Sequence, residues 1–294
     1  MPRMKVVIIG ASGQLGSDLM KAFEEEAPIG VDRRVIDIEA PAAVAKMLQH
    51  YKPDLVINTA AFHNVDSCET YPERAFSVNA LSVDRLALQC ASAGCALAHV
   101  STDYVFDGNA GEPYAESDAP NPINAYGISK LAGELLVKRG LERYFIFRTS
   151  GLYGIRGSSN KGYTFIERIL SQAAEGRELR VVTDITFSPS YTRHVAQAIR
   201  SIVASGAYGT YHVTNGGACT WHAFAVEVLR QAGVTADVVE TVSSAFPSLA
   251  RRPAYSALRA AGLERLRLPA LPPWGDGIRA YLDERGLRAA PRSA

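Results

Sequence analysis

Seven residues near the start of the chain, Gly10-Ala11-Ser12-Gly13-Gln14-Leu15-Gly16, leave little freedom in what it can fold into. They follow a short β-branched apolar run, Val6-Val7-Ile8-Ile9, and precede Asp18-Leu19-Met20-Lys21-Ala22-Phe23, which reads as a helix. In this strand, glycine turn and helix, Gly10, Gly13 and Gly16 let the backbone turn tightly and approach a pyrophosphate. That group would rest on the unpaired N–H groups at the helix N-terminus. A glycine triplet alone is weak evidence, but Asp32 follows about twenty residues later, where a carboxylate would accept from an adenosine ribose hydroxyl. Glycines merely ending a buried strand do not account for Asp32. The carboxylate would repel a 2′-phosphate and favour NAD(H), whereas Arg33 and Arg34 could pair with that phosphate and admit NADP(H).

Apolar, β-rich runs recur at 5–10, 54–60, 96–101 and 144–149, with helical periodicity between them. This alternation predicts an α/β fold, a Rossmann-type doubly wound parallel sheet with crossover helices. The spacing predicts a helix over 72–93, with Pro72 in its first turn, Gly94 as its stop, and Ala75, Phe76, Val78, Leu81, Leu86 and Leu88 on or near one face. A second helix should carry Tyr126 and Lys130 and end at Gly140. Gly10, Ala60 and Thr102 fall at the carboxyl ends of strands, where such sheets bind ligands.

Residues 1–150 are therefore read as a dinucleotide-binding domain. After Gly151 the texture changes: 151–162 is a glycine- and serine-rich loop that includes Asn160 and Lys161. Helices are expected at 164–175, 192–204 and 221–232, the last capped by Thr220 and stopped by Gly233, with strands at 179–182 and 210–213. A return segment at about 179–213 should rejoin the first domain. The remainder, 151–178 and 214–294, should form a smaller C-terminal substrate-binding lobe that closes over the cofactor, with a disordered end at 289–294.

Tyr126 and Lys130 lie four residues apart, so they are neighbours on one helix face and the lysine ammonium could sit under the phenol oxygen. A tyrosine near pKa ~10 is a poor acid or base at neutral pH, and lowering it by about three units takes roughly 4 kcal/mol. A solvated lysine cannot supply that; a desolvated lysine with the positive ring of an oxidised nicotinamide can. The strand end Val100-Ser101-Thr102-Asp103-Tyr104-Val105-Phe106 adds hydroxyls and an acid. There Thr102 would hold a carbonyl or alcohol beside Tyr126, completing a catalytic set of Thr102, Tyr126 and Lys130. Tyr104 and Phe106 are expected in the core.

Composition narrows the partners. Thirty-one basic and 30 acidic residues give a net charge of +1, so there is no footprint for nucleic acid or an anionic membrane, and small-molecule chemistry is expected. No apolar run approaches the roughly 20 residues that span a bilayer. Cys68, Cys90, Cys95 and Cys219 lack CxxC spacing and the N-terminus carries no basic region followed by an apolar stretch, which suggests reduced thiols in a cytoplasmic protein. The six histidines have no metal-ligand spacing, so no metal is expected; His63 alone adjoins the cofactor channel.

The glycine turn, Ser101-Thr102-Asp103-Tyr104-Val105-Phe106 and Tyr126-Gly127-Ile128-Ser129-Lys130-Leu131-Ala132-Gly133-Glu134 together resemble the extended short-chain dehydrogenase/reductases. More narrowly, they resemble the family of dTDP-4-dehydrorhamnose reductases. Asn58-Thr59-Ala60-Ala61, Val78-Asn79-Ala80, Phe147-Arg148-Thr149-Ser150 and Arg252-Pro253 with Ser256 support this over nearly the whole chain. The resemblance implies reduction of the 4-keto group of a dTDP-6-deoxyhexose by NADH or NADPH. It implies that Gly13, Gln14 and Leu15 touch the pyrophosphate, Asp32 the ribose, Asp37 and Ile38 the adenine, and Ala60, Ala61 and Phe62 the length of the cofactor. Thr102 and Asp103 would face the sugar; apart from the resemblance, Arg252 and the basic C-terminal lobe are candidates for holding the nucleotide diphosphate.

Dehydratases of the superfamily carry an Asp-Glu pair where Asp103-Tyr104 stands, so the missing second acid favours plain carbonyl reduction. Two departures concern the sugar pocket: Gly151 stands where the family has tryptophan, and Phe187-Ser188-Pro189-Ser190 where it has Gly-x-Pro-Thr. Relatives can hold magnesium between subunits, but those positions find no match here; a homodimer is left open. The rival readings are an epimerase with the same triad and a non-catalytic NADP-binding regulatory subunit like the partner of methionine adenosyltransferase.

Overall fold

The computed structural model describes residues 3–157 and 162–288; Asn160, Lys161 and the tail 289–294 lie outside the described residues. Six short runs form one parallel sheet: β1 (Val6–Ile9), β2 (Ile29–Val31), β3 (Leu55–Asn58), β4 (Ala96–Thr102), β5 (Tyr144–Thr149) and β6 (Gly209–His212). Their order across the sheet is β6-β5-β4-β3-β1-β2. Parallel strands must be covered on both faces, which is why the runs are apolar almost without interruption.

Alternate side chains of each strand feed two cores. Val6, Ile8, Ile57 and Phe147 pack with Leu19 of α1 (Gln14–Ala22) and Ile199 and Ile202 of a later helix, Thr192–Ser205. Val7, Ile9, Val56 and Ile146 pack on the opposite face against Met47 of α2 (Pro41–Tyr51), Leu86 of α3 (Ser82–Ala93) and Val137 of α4 (Ala125–Gly140). The Thr192–Ser205 helix is α5. The strand order reverses between β1 and β3, and an open crevice outside the carboxyl ends of those strands is where such sheets bind ligands.

The helix expected over 72–93 is interrupted. Pro72–Phe76 and α3 are regular, but Ser77–Leu81 between them is a π-helical turn. Gly133 of α4 lies against the backbone carbonyl of Asn79 so closely that a Cβ would overlap it, and the Ser82 hydroxyl donates to the Ser77 carbonyl at 2.8 Å. The wider turn changes the phase of the helix, so Leu81 and Leu88, which the sequence places near the inward face, are 50% and 46% exposed. Gly94 ends α3 in the left-handed conformation.

Beyond β5 a third core forms around Tyr153, Phe187, Phe224 and Tyr281, built on the helices Phe165–Ala174, Trp221–Ala232 and Trp274–Arg285. Thr164 and Glu167 start the first of these with a reciprocal capping box. Of the segment expected to return to the large sheet, α5 and β6 do so, whereas Leu179–Val182 pairs with Val238–Thr241 in a separate parallel ribbon. The strand Ile29–Val31 has no counterpart in the sequence reading; its single buried residue, Val31, carries too little pattern. Among the described residues no helix is long and apolar enough to cross a membrane, and all four cysteines are free and buried.

Candidate active site

The glycine turn is shaped by its neighbours. Gly10 has φ +83°, and a Cβ on it would run into the Thr59 hydroxyl, which donates to the Ile9 carbonyl at 2.9 Å. A Cβ on Gly16 would overlap the Gly10 carbonyl. The chain can turn this tightly only with glycine at both places. α1 then begins on Gly13, with no side-chain cap and no acidic residue in its first turn, so its leading N–H groups are left for an anion. This cradle fits a dinucleotide pyrophosphate.

From that turn a cavity of about 730 Å³ runs along the ends of β1, β3 and β4. Its wall includes Gly10, Gly13, Gln14, Leu15, Gly16, Asp32, Arg33, Asp37, Ile38, Ala60, Ala61 and Phe62, and at the far end Thr102, Asp103, Tyr126 and Lys130. Asp32 accepts from the Arg34 backbone N–H at 2.9 Å, and that bond first of all holds its carboxyl below the ordinary range. Arg33 and Arg34 are exposed, the former 3.8 Å from Asp37 and the latter 3.4 Å from Asp32.

The far end depends on how α4 is seated. Asn124 caps it, accepting from the Gly127 N–H at 2.8 Å and donating to the Arg251 carbonyl at 2.8 Å, while the Ala125 N–H donates to Glu69 at 2.7 Å. Gly127 has no room for a Cβ against the Tyr104 carbonyl, which brings α4 down onto the end of β4. Tyr126 and Lys130 thereby share the cavity wall. The Lys130 Nζ donates to the Val100 carbonyl at 2.7 Å and meets His99 Nε2 at 3.1 Å, and no hydrogen bond joins it to Tyr126. This differs from the expected stacking of ammonium under phenol, because the carbonyl and imidazole claim the amine first.

Burial lowers Lys130 to about 8. Burial also raises Tyr126, partly opposed by the Thr102 hydroxyl, so the phenol keeps its proton at neutral pH. The Thr102 hydroxyl donates to Asp103 at 3.0 Å and accepts from the Tyr104 N–H at 3.2 Å. Asp103 also accepts from Ser150 at 2.8 Å and Ser256 at 2.6 Å; it is 5% exposed, and burial pushes its carboxyl up to about 6. Asp103 thus borders the cavity while its oxygens are committed to three hydroxyls, and it orients Thr102.

Arg252 does not reach the cavity wall: it pairs with Asp66 at 3.0 Å and bonds Ser248. His63 does line the cavity, and desolvation lowers its pKa, which keeps the ring neutral. Phe106 is a core residue stacked on Tyr114 at 4.2 Å, while Tyr104 is half-buried, edge-on to Tyr126 at 6.0 Å. Gly151, at φ +52°, leaves space that the Phe187 ring fills, and Phe187 stacks on Trp221 at 4.0 Å. Gly151 lines the far end of the cavity, whereas Phe187 is buried in the core of the smaller lobe, so the place where the family carries tryptophan holds no aromatic side chain on the cavity wall.

Ser150, Ser256, His99 and Asn58 carry contacts that the sequence did not assign. A lone histidine inside the buried run of β4 was a signal that a partner was required. Which partner lay opposite was decided only by strand register, which sets His99 beside Asn58.

A glycine turn at a switch point, opening into a cavity that ends at a tyrosine and a buried lysine, defines an NAD(P)-dependent oxidoreductase of the extended short-chain dehydrogenase/reductase class. The chain belongs to the family described as RmlD substrate binding domain, whose model matches residues 4–286. It is 35% identical to a spore coat polysaccharide biosynthesis protein, SpsK, of Bacillus subtilis (strain 168), over 96% of this chain and 98% of that one. It is 38% identical to dTDP-4-dehydrorhamnose reductase of Mycobacterium tuberculosis (strain CDC 1551 / Oshkosh), over 90% and 89% of the two chains. The crystal structure of dTDP-4-dehydrorhamnose reductase from Bacillus anthracis str. Ames in complex with NADP superposes with a TM-score of 0.92, at 34% identity, covering 96% of this chain and 100% of that one.

Proposed function

We propose that the chain reduces the 4-keto group of a nucleotide-linked deoxysugar with NADH or NADPH, the substrate being dTDP-4-dehydrorhamnose or a close relative. The observation that carries this reading is the single cavity with an uncapped, glycine-turned helix start at one end and Tyr126 beside Thr102 at the other. When bound, the reduced nicotinamide supplies a hydride to the carbonyl carbon. On binding, the Thr102 hydroxyl turns its one hydrogen from Asp103, which keeps Ser150 and Ser256, to the carbonyl oxygen, and Tyr126 delivers its phenolic proton to that oxygen as it becomes an alkoxide. The sugar lies beside Gly151 and Leu152, which line the far end of the cavity next to Thr102 and Tyr126.

The rival epimerase returns its hydride to the substrate and so gives no net oxidation of cofactor. The non-catalytic reading has no use for the intact Thr102, Tyr126 and Lys130. Nucleotide sugars screened for loss of reduced-nicotinamide absorbance test the proposal. Stoichiometric oxidation with a 4-keto-6-deoxyhexose nucleotide is expected; tightly retained NAD with no net turnover on any of them would overturn it in favour of epimerisation.

A further inference from the structure

Behind Lys130, away from the cavity, lies a chain of three polar side chains sealed from solvent: Asn58, His99 and Lys130 are 0%, 0% and 1% exposed. The direction of the hydrogen bonds along it is fixed at one end. The Ala60 backbone N–H donates to the Asn58 side chain at 3.1 Å, so the atom it meets must be the amide oxygen. The amide nitrogen therefore points at His99 Nδ1, 3.2 Å away, and donates to it. A neutral ring that accepts at Nδ1 carries its proton on Nε2.

Nε2 in turn lies 3.1 Å from the Lys130 Nζ. An Nε2–H is a donor and an ammonium is only a donor, so the two cannot bond as drawn with Lys130 charged. Either Lys130 is a neutral amine that accepts from Nε2–H, or the ring must carry its proton on Nδ1 and the Asn58 amide must turn over, losing the Ala60 bond. The second bond of the amine, to the Val100 carbonyl at 2.7 Å, is made equally well by both forms.

We propose that Asn58 and His99 are positioning residues that set the charge of Lys130, by holding the His99 tautomer that pairs with a neutral amine. Taking up one proton is then a two-part event. The incoming proton goes onto Nζ, the ring proton passes from Nε2 to Nδ1, and the amide turns to accept it. The inference rests on the reading of Tyr126 and Lys130 as the proton-handling pair, for which it supplies the tuning element. Neither Asn58 nor His99 lines the cavity, so they act on the chemistry only through Lys130.

The other groups around the amine do not duplicate this role. Glu134, one turn further along α4, is held by Arg148 at 2.7 Å and by the Ser101 hydroxyl at 2.6 Å. Tyr126, on α4, and Asp103, past the end of β4, share its cavity but do not bond it, and His63 approaches from the loop after β3 as a neutral ring. Desolvation brings Lys130 to about 8, which is where the proposed exchange would be felt.

The test is a pH titration of the intact, cofactor-free protein by NMR, with the His99 ring nitrogens reporting the tautomer and the Lys130 Cε reporting the charge. The expected result is one shared midpoint, with the ring proton on Nδ1 below it and on Nε2 above it. An Asn58→Asp substitution keeps the Ala60 acceptor but can only accept from the ring, so it should fix the proton on Nδ1 and raise the Lys130 midpoint by at least about one pH unit. The alkaline limb of kcat/KM should move with it. A ring that keeps one tautomer while Lys130 changes charge would overturn the proposal, and the wild-type titration decides this even if the variant does not fold. A Tyr126→Phe enzyme with full turnover, alongside the shared midpoint, would instead sink the functional reading and leave this one standing.

Discussion

At neutral pH the Tyr126 phenol holds its proton because burial disfavours the phenolate, and that is the state a reductase needs when a carbonyl arrives. The neighbouring carboxyl of Asp103 also changes charge near that condition. Asp103 has its pKa raised from 3.8 to about 6, so the folded protein holds this proton more tightly than the unfolded chain does. Its contribution to stability is therefore present below the unfolded value and is lost as the pH rises through about 6. Asp103→Asn should remove this dependence: measured by urea unfolding, the variant should gain on the wild type by up to about 3 kcal/mol between the two pKa values. A constant difference across that range would refute the burial argument. Asp32 governs the other end. Replacing it with alanine should weaken NADH binding about tenfold and spare NADPH, since a charged hydrogen-bond partner of the ribose is lost. Wild-type protein that binds NADPH at least about tenfold tighter than NADH, a difference of 1.4 kcal/mol, would reverse the assignment of Asp32.

Among the elements, α4 shows how much of a site depends on close approach between backbones. Gly127 and Gly133 are the positions where it touches the Tyr104 and Asn79 carbonyls, and both lie on the helix that carries Tyr126 and Lys130. Gly133→Ala should destabilise the protein by about 1–3 kcal/mol, because neither backbone can yield without moving the π turn at Ser77–Leu81. A melting temperature equal to that of the wild type would mean that the two backbones part easily. The sequence announced α4 through the Tyr126 and Lys130 spacing and the Gly140 stop, and it announced the start of α1 through the glycines; the Asn124 cap is seen only in the structure. It could not announce the π turn. That feature arises from contact with Gly133, fifty-four residues away from Asn79 in sequence, and it leaves Leu81 of the turn and Leu88 of the next helix facing outward.

At the scale of the whole molecule, the Rossmann-type sheet was legible because parallel strands covered on both faces leave near-continuous apolar runs, and because glycine or proline marks an end of the helices read after β1, β3 and β4; α2 had no counterpart in that reading. The cavity wall was legible in part for the same reason: Gly10, Ala60 and Thr102 stand at or just beyond the carboxyl ends of strands, and Gln14, Leu15, Gly16, Tyr126 and Lys130 early in the helices that follow. Residues that meet only when the second lobe docks were harder. Ser256 reaches Asp103 from beyond the ribbon of Leu179–Val182 and Val238–Thr241, and Arg252, a candidate for the nucleotide diphosphate, pairs with Asp66. Charge and residue type pointed Arg252 at the substrate, but an ion pair within the fold decided where it went. The proposed reduction depends on one proton, the one carried by Tyr126. Single-turnover reduction of a 4-keto-6-deoxyhexose nucleotide by Tyr126→Phe, with cofactor affinity measured on the same preparation, tests it most directly. The rate should fall by about 10²–10⁴-fold with cofactor binding changed by no more than a few-fold, and reduction at the wild-type rate would contradict the role assigned to the phenol.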